Sequence, residues 1–211
     1  MSRAGRTLAA EKAEPSRKQL RAAAVDSFAR LGYQGTSIDR IAREVGVTKG
    51  AVYYHFRDKE DLLFEAVQDR IGGFERDVLR AIPAGEDAIA ALRRVVDSCF
   101  FHATVSNHRR FIMTLMVEAL DTHPGLSAQF GKVMRRMRGF LADIIRRGQA
   151  ERQLRFDVEP DTTASTFMAG IMGAEIQHYQ SPDEVDLRRV LDTLVDQVTV
   201  WLRPAAQTGG A

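Results

Sequence analysis

The 211-residue sequence holds one cysteine, six prolines and no apolar run approaching the ~18 residues that a membrane span needs. The lone Cys99 excludes an internal disulfide framework and fits a reducing compartment. Residues 1–14 lack the apolar stretch of a secretory signal. Alternation of apolar and polar residues, the mark of a half-buried strand, hardly occurs. There is no phosphate-cradling glycine loop and no nucleophile–base set. Cys99 and His102 stand three apart, but no third ligand follows at a matching spacing. Cys99 also lacks the basic flank that would activate its thiol. The expectation is a soluble cytoplasmic protein without cofactor, metal, membrane partner or enzymatic activity.

Charge is unevenly placed. Residues 1–58 carry 11 Lys/Arg and 6 Asp/Glu, whereas residues 59–211 carry 19 and 22. A basic front on a mildly acidic body suits a nucleic-acid partner at one end. Helical spacing pervades the chain. Pro15 and Ser16 open a first helix with the stripe Leu20, Ala24, Phe28 and Leu31, which Gly32 is expected to end. Thr36 is expected to cap a second helix that Gly46 stops, and Thr48 a third over Lys49 to Phe56. Asp58 and Asp61 form a capping-box pattern for a fourth helix, softened at Gly72-Gly73. Longer helices are predicted over 86–104, 108–121, 125–152, 160–179 and 184–202, with Pro124, Pro160 and Pro182 at starts.

The informative segment is Thr36 to Lys59, TSIDRIAREVGVTKGAVYYHFRDK. Two short helices around Gly46-Val47-Thr48 have the length and mid-turn glycine of a helix-turn-helix. Val52 and Phe56, four apart, should face the core with Phe28, Ile41 and Val45. That leaves Lys49, Gly50, Tyr53 and Tyr54 on the outer face, where a lysine can reach guanine or phosphate and a glycine admits close approach. Thr36 and Thr48 stand at helix N-termini, which favour phosphate, with His55 and Lys59 beyond them.

The run from Ser27 to Leu63 resembles the TetR family of repressors. It carries Phe28-Ala29-Arg30-Leu31-Gly32-Tyr33, Thr36-Ser37, Ile41 to Gly50, Tyr53-Tyr54-His55-Phe56 and Lys59-Glu60-Asp61-Leu62. The resemblance implies an all-α protein of about nine helices, a three-helix helix-turn-helix domain followed by a larger ligand-binding and dimerisation domain. It also implies a homodimer on an operator of inverted repeats. By carry-over Thr36, Thr48, Tyr53, His55 and Lys59 meet the DNA backbone, and Lys49, Gly50 and Tyr54 the bases.

Four segments follow: a flexible basic arm 1–15, a DNA-binding domain 16–58, an effector-binding and dimerisation domain 59–204 and a disordered tail 205–211. In the body, Phe101, Phe111, Met116, Phe140, Ile144, Phe167 and Ile171 are candidates for a pocket that takes a small apolar or aromatic effector. His102, Glu118, Glu175 and His178 are candidates for inward polar groups, of which His102 and Glu175 join the pocket set. The doublets Arg109-Arg110, Arg135-Arg136 and Arg146-Arg147 read as solvated faces. Phe167, Gly170, Ala174, Leu187, Leu191, Leu194, Val198 and Trp201 are candidates for a four-helix dimer interface, with Gly170 and Gly173 admitting the partner. The competing readings are an activator of the same family, an architectural DNA-binding protein and an enzyme whose site forms only on folding.

Overall fold

The computed structural model describes residues 16–80, 82–83, 85–105 and 107–204, and among them nine α-helices and no strand. The expected arm at 1–15 and tail at 205–211 lie outside the described residues. No helix among the described residues is long and apolar enough to cross a membrane. Two compact units emerge, one ending at Val67 and the other beginning at Gln68.

The first unit contains α1 (Arg17–Gly35), α2 (Ile38–Val45), α3 (Lys49–His55) and the opening of α4 (Lys59–Arg80). Ser16 and Gln19 close a reciprocal capping box at the start of α1. Gly32, with φ 72° and ψ 172°, is non-helical and ends the first helical stretch of α1; beyond this kink a short second stretch runs to Gly35. That backbone conformation is open to glycine and strained for other residues. α2 is capped by Ser37, not by Thr36 as expected. Thr36 is 2% exposed, and its hydroxyl donates to Gly32 O at 2.9 Å and lies 3.2 Å from Ser27 O. Its hydroxyl therefore ties the end of α1, and the exposed hydroxyl of the next residue meets Arg40 N. The core is Leu20, Phe28, Ile41, Val52, Phe56, Leu62 and Leu63, each at most 1% exposed. Burial of each contributes about 1.5–3 kcal/mol.

Asp58 Oδ1 accepts from Asp61 N at 2.8 Å and so caps α4, but Asp61 reaches back to Arg57 N at 3.0 Å, one residue before the place a capping box specifies. α4 is one helical span of 22 residues that runs unbroken through Gly72-Gly73, where a softening is expected from the sequence. It passes from the first unit into the second.

The second unit holds the rest of α4 with α5 (Ala88–Val105), α6 (His108–Thr122), α7 (Pro124–Ala150), α8 (Pro160–Gln180) and α9 (Leu187–Leu202). α5 lies at its centre, in contact with α6, α7, α8 and α9. Its inward residues explain how four neighbours fit: Ala88, Ala91 and Ala103 alternate with Leu92, Val95, Val96 and Cys99. Pro124 and Pro160 open α7 and α8, as their missing N–H permits. Pro182 instead lies in the turn before α9, which starts at Leu187 under an Asp186 cap. Arg152, with φ 59°, turns the chain out of α7 into the loop that leads to Glu159.

Candidate nucleic-acid interface and effector cavity

In the first unit, α2 ends at Gly46, which adopts the left-handed conformation with φ 78°. Val47 N then returns to Ala42 O at 2.9 Å, closing the turn within three residues. Thr48 Oγ1 accepts from Ala51 N at 3.2 Å and starts α3. Val52 and Phe56 are buried, Val45 is half-buried, and so α3 presents one fixed face outward. Lys49, Gly50, Tyr53 and Tyr54 occupy it, Tyr54 being 79% exposed. A side chain at Gly50 would meet only Thr48 Oγ1 at 3.8 Å, so nothing in the unit requires a glycine there.

Lys49 Nζ pairs with Asp39 Oδ2 at 3.1 Å and stands 5.9 Å from the Tyr53 ring centroid, which keeps a long side chain on the face. This hydrogen bond holds the Lys49 pKa above its ordinary value. Lys59 is half-buried, with Nζ 4.0 Å from the Tyr33 centroid. Burial lowers its pKa. His55 is half-buried at the end of α3. Ser37, Arg40 and Arg43 are exposed on or beside α2 and were not among the residues expected from the sequence. The basic composition of the segment was the only sign of the two arginines.

The second unit contains an apolar cavity of about 80 Å³ whose lining includes Ile71, Ile112, Phe130 and Val133 with Met113, Met116, Met134, Met137 and Met172. Five of the seven methionines of the chain thus share one wall. A second cavity, of about 200 Å³, is polar and lined by residues including Asp69, Arg76, Asp77, His102 and His108. Arg70, Phe74, Arg109 and Ile112 line both.

Arg109 is the main departure from the expected solvated doublet. Its Nε donates to Glu175 Oε1 at 2.7 Å, Glu175 is 0% exposed, and the guanidinium carbon stands 4.5 Å from the Phe74 centroid. Burial raises the Glu175 carboxyl pKa, against the pull of Arg109. Glu175 Oε2 and the Tyr179 hydroxyl are buried without a hydrogen-bond partner in the protein. Burial, with Glu175 nearby, pushes Tyr179 up to about 12. Cys99, 4% exposed, is likewise pushed up to about 12 by burial.

Of the other pocket candidates, Met116 lines the apolar cavity and His102 the polar one, 3.4 Å from Asp77 Oδ2. Burial lowers the His102 pKa. Phe101 is exposed, Phe111 and Phe140 are half-buried, and Ile144, Phe167 and Ile171 belong to the packed interior. Glu118 faces outward and His178 bonds Val185 O at 2.8 Å. Among the described residues no group of three His, Cys, Asp or Glu converges as metal ligands would.

On α8 and α9 the apolar stripe divides. Phe167, Ala174, Leu187 and Leu191 are buried within their own chain. Gly170, expected to admit a partner helix, instead admits Leu194 of the same chain; a Cβ there would stand 2.9 Å from its methyls. Gly173 is open, and a groove of about 410 Å³ runs past it with Thr193, Leu194 and Gln197. Trp201 is half-exposed and Val198 half-buried.

Comparison with known proteins follows this division. The family model described as bacterial regulatory proteins, tetR family, matches residues 20–66, and that described as tetracyclin repressor-like, C-terminal domain, matches residues 88–194. The regulator SrpR of Pseudomonas putida is 26% identical over 175 residues, 83% of this chain and 80% of its own. The regulator AcrR of Shigella flexneri is 29% identical over 109 residues, and the chain spans 50% of its length. A putative transcriptional regulator from Saccharomonospora viridis, solved in complex with choline, has the same fold, with a TM-score of 0.82 at 22% identity over 90% of this chain and 98% of its own. With one model on the first unit and another on half the chain in the second, the protein belongs to the TetR family and is a DNA-binding transcriptional regulator.

Proposed function

We propose that the protein is a repressor that binds an inverted-repeat operator as a homodimer and leaves it when a small, largely apolar effector enters the methionine-lined cavity. The outer face of α3 carries this reading. Lys49, Gly50, Tyr53 and Tyr54 are exposed together on a helix locked from behind by Val52 and Phe56. Glycine within a helix costs roughly 0.5–1 kcal/mol relative to alanine. Packing inside the unit gives no return for that cost at Gly50, whereas base edges approaching its bare backbone would.

In this reading Lys49, Gly50 and Tyr54 meet bases, and Thr48, Tyr53, His55 and Lys59 meet the DNA backbone. Thr36, with its side chain turned inward, leaves the phosphate near α2 to Ser37. The second copy covers the groove of Gly173, Thr193, Leu194 and Gln197, with Val198 and Trp201 beside it. The effector acts through α4, because Arg70, Ile71 and Phe74 of the cavity wall and Lys59 of the DNA-binding unit lie on one helix. Widening the wall biases the position of that helix and lowers the population that fits the operator. A cytoplasmic site of action follows from such a partner.

Footprinting on the DNA upstream of the protein's own coding sequence tests the proposal. A short protected palindrome is expected, with affinity falling ~10³–10⁵-fold between 50 and 200 mM salt for ~6–10 phosphate contacts. Uniform coverage, or no protection anywhere, would refute it.

A further inference from the structure

The two cavities of the second unit adjoin through four residues, and the chemistry of those four narrows the ligand. Arg70, Phe74, Arg109 and Ile112 line both spaces, which places two guanidiniums and no carboxylate at the junction. Arg109 is held by Glu175 at 2.7 Å, so its charge is balanced. Arg70 is exposed and gives a donor to the ring nitrogen Nδ1 of His108, which brings no negative charge. Of the carboxylates in the polar cavity, Asp77 is engaged by His102, and neither it nor Asp69 reaches the apolar side. The junction therefore favours an anion. Beyond it the wall turns to methionines, whose flexible thioethers reshape around whatever enters.

We infer that the effector is a single-chain amphiphilic anion, a carboxylate head on Arg70 and Arg109 with an alkyl tail among Met113, Met116, Met134, Met137 and Met172. The inference rests on the reading of this cavity as the effector site. A carboxylate meets a guanidinium in two parallel charge-assisted hydrogen bonds, which fixes the head while the tail adapts. A cationic head is disfavoured on two counts. Arg70, whose charge no carboxylate at the junction balances, repels it, and Phe74, the aromatic ring that could attract it, already carries the Arg109 guanidinium on one face. At about 80 Å³ the apolar cavity is below the ~300 Å³ of a drug-sized site, so the tail enters by turning methionine side chains aside.

The test compares dodecanoate, dodecanol and dodecyltrimethylammonium, each below its micellar concentration, by calorimetric titration into the purified full chain without DNA. Dodecanoate should bind about tenfold or more tighter than either analogue. That preference should shrink to near unity in Arg70→Gln, an exposed position whose change leaves the fold intact, and in Arg109→Gln where that variant melts cooperatively. Equal binding of the three, a preference for the ammonium, absence of binding by all, or a preference that survives Arg70→Gln would each overturn the inference. Titrating operator complexes with dodecanoate separates the two levels. Binding with the expected head preference but no operator release would sustain the ligand class and sink the effector reading.

Discussion

The Arg109–Glu175 pair allows its contribution to be worked out in advance. Glu175 is fully buried and the Arg109 side chain is 18% exposed, so removal of one partner strands the other charge out of water. Two unit charges about 4 Å apart interact by about 4 kcal/mol at an effective dielectric near 20. Breaking a buried pair from one side costs about 3–5 kcal/mol in comparable cases. Glu175→Leu should therefore lower stability by about that amount, roughly 6–20 °C in Tm at ~2–4 °C per kcal/mol for a chain of this size. Arg109→Met should do likewise. The double variant removes both desolvated charges together, and such replacements are often neutral or stabilising. It should melt within about 1 kcal/mol of the parent, giving a coupling of about 6–10 kcal/mol, the sum of the two single losses. Far-UV circular dichroism in urea and on heating reads all four corners of this cycle, at one protein concentration because assembly shifts apparent stability. Single variants that each cost under about 1 kcal/mol, or a double variant as unstable as the sum of the singles, would refute the argument.

Three further outcomes follow from particular contacts. Lys49→Ala should weaken the operator complex by about 1–3 kcal/mol and relax discrimination at one base pair, with little change on unrelated DNA; equal loss on both would remove Lys49 from base readout. Gly148→Ala places a Cβ 2.6 Å from Ala88 Cβ and 2.7 Å from Leu154, all packed. The overpacking, about 1–3 kcal/mol, should exceed the ~1 kcal/mol gain in helix propensity, so an unchanged or raised urea midpoint would contradict the packing described. The Glu159 carboxylate accepts from Asp161 N and Thr162 N at the start of α8, which holds it down at about 2 against an ordinary 4.5. A carboxyl depressed on folding stabilises above its unfolded value and loses that contribution as pH falls. Glu159→Gln should therefore flatten the decline in stability between pH 4.5 and about 2, and an unaltered acid limb would show that this cap does not act.

The sequence made some of this plain and hid the rest for identifiable reasons. Helix positions with strong local grammar were readable: Ser16, Thr48 and Asp58 cap as their residue types suggest, and Gly46 turns as a left-handed glycine should. Thr36 and Ser37 are adjacent good caps, and choosing between them depends on the Thr36 side chain being buried with its hydroxyl 3.2 Å from Ser27 O, which only tertiary packing decides. Gly170 looked like a place for a partner helix because spacing shows that a helix comes close, not whose it is; Leu194 of the same chain fills it. Arg109 read as half of a surface doublet since its partner, Glu175, lies 66 residues away and on another helix. The outer face of α3 was legible because a helix locked by Val52 and Phe56 leaves no choice of orientation. The cavity was not, for methionines on α6, α7 and α8 declare a shared wall only once those helices pack.

The buried cysteine has a practical consequence for following the molecule at work. At pH 8 a thiol pushed up to about 12 is ionised to about one part in 10⁴, and Cys99 is also closed to solvent, so thiol reagents will leave it alone. The native chain is thus already a single-label background. In the proposed homodimer, one cysteine introduced at exposed Gln34, near the end of α1, would carry a spin label in each copy, and the distance between the two labels would follow the separation of the two DNA-binding units. Whether that distance changes when an amphiphile is added, as a loss of fit to adjacent major grooves ~34 Å apart requires, becomes a measurement with no reactive background thiol to remove.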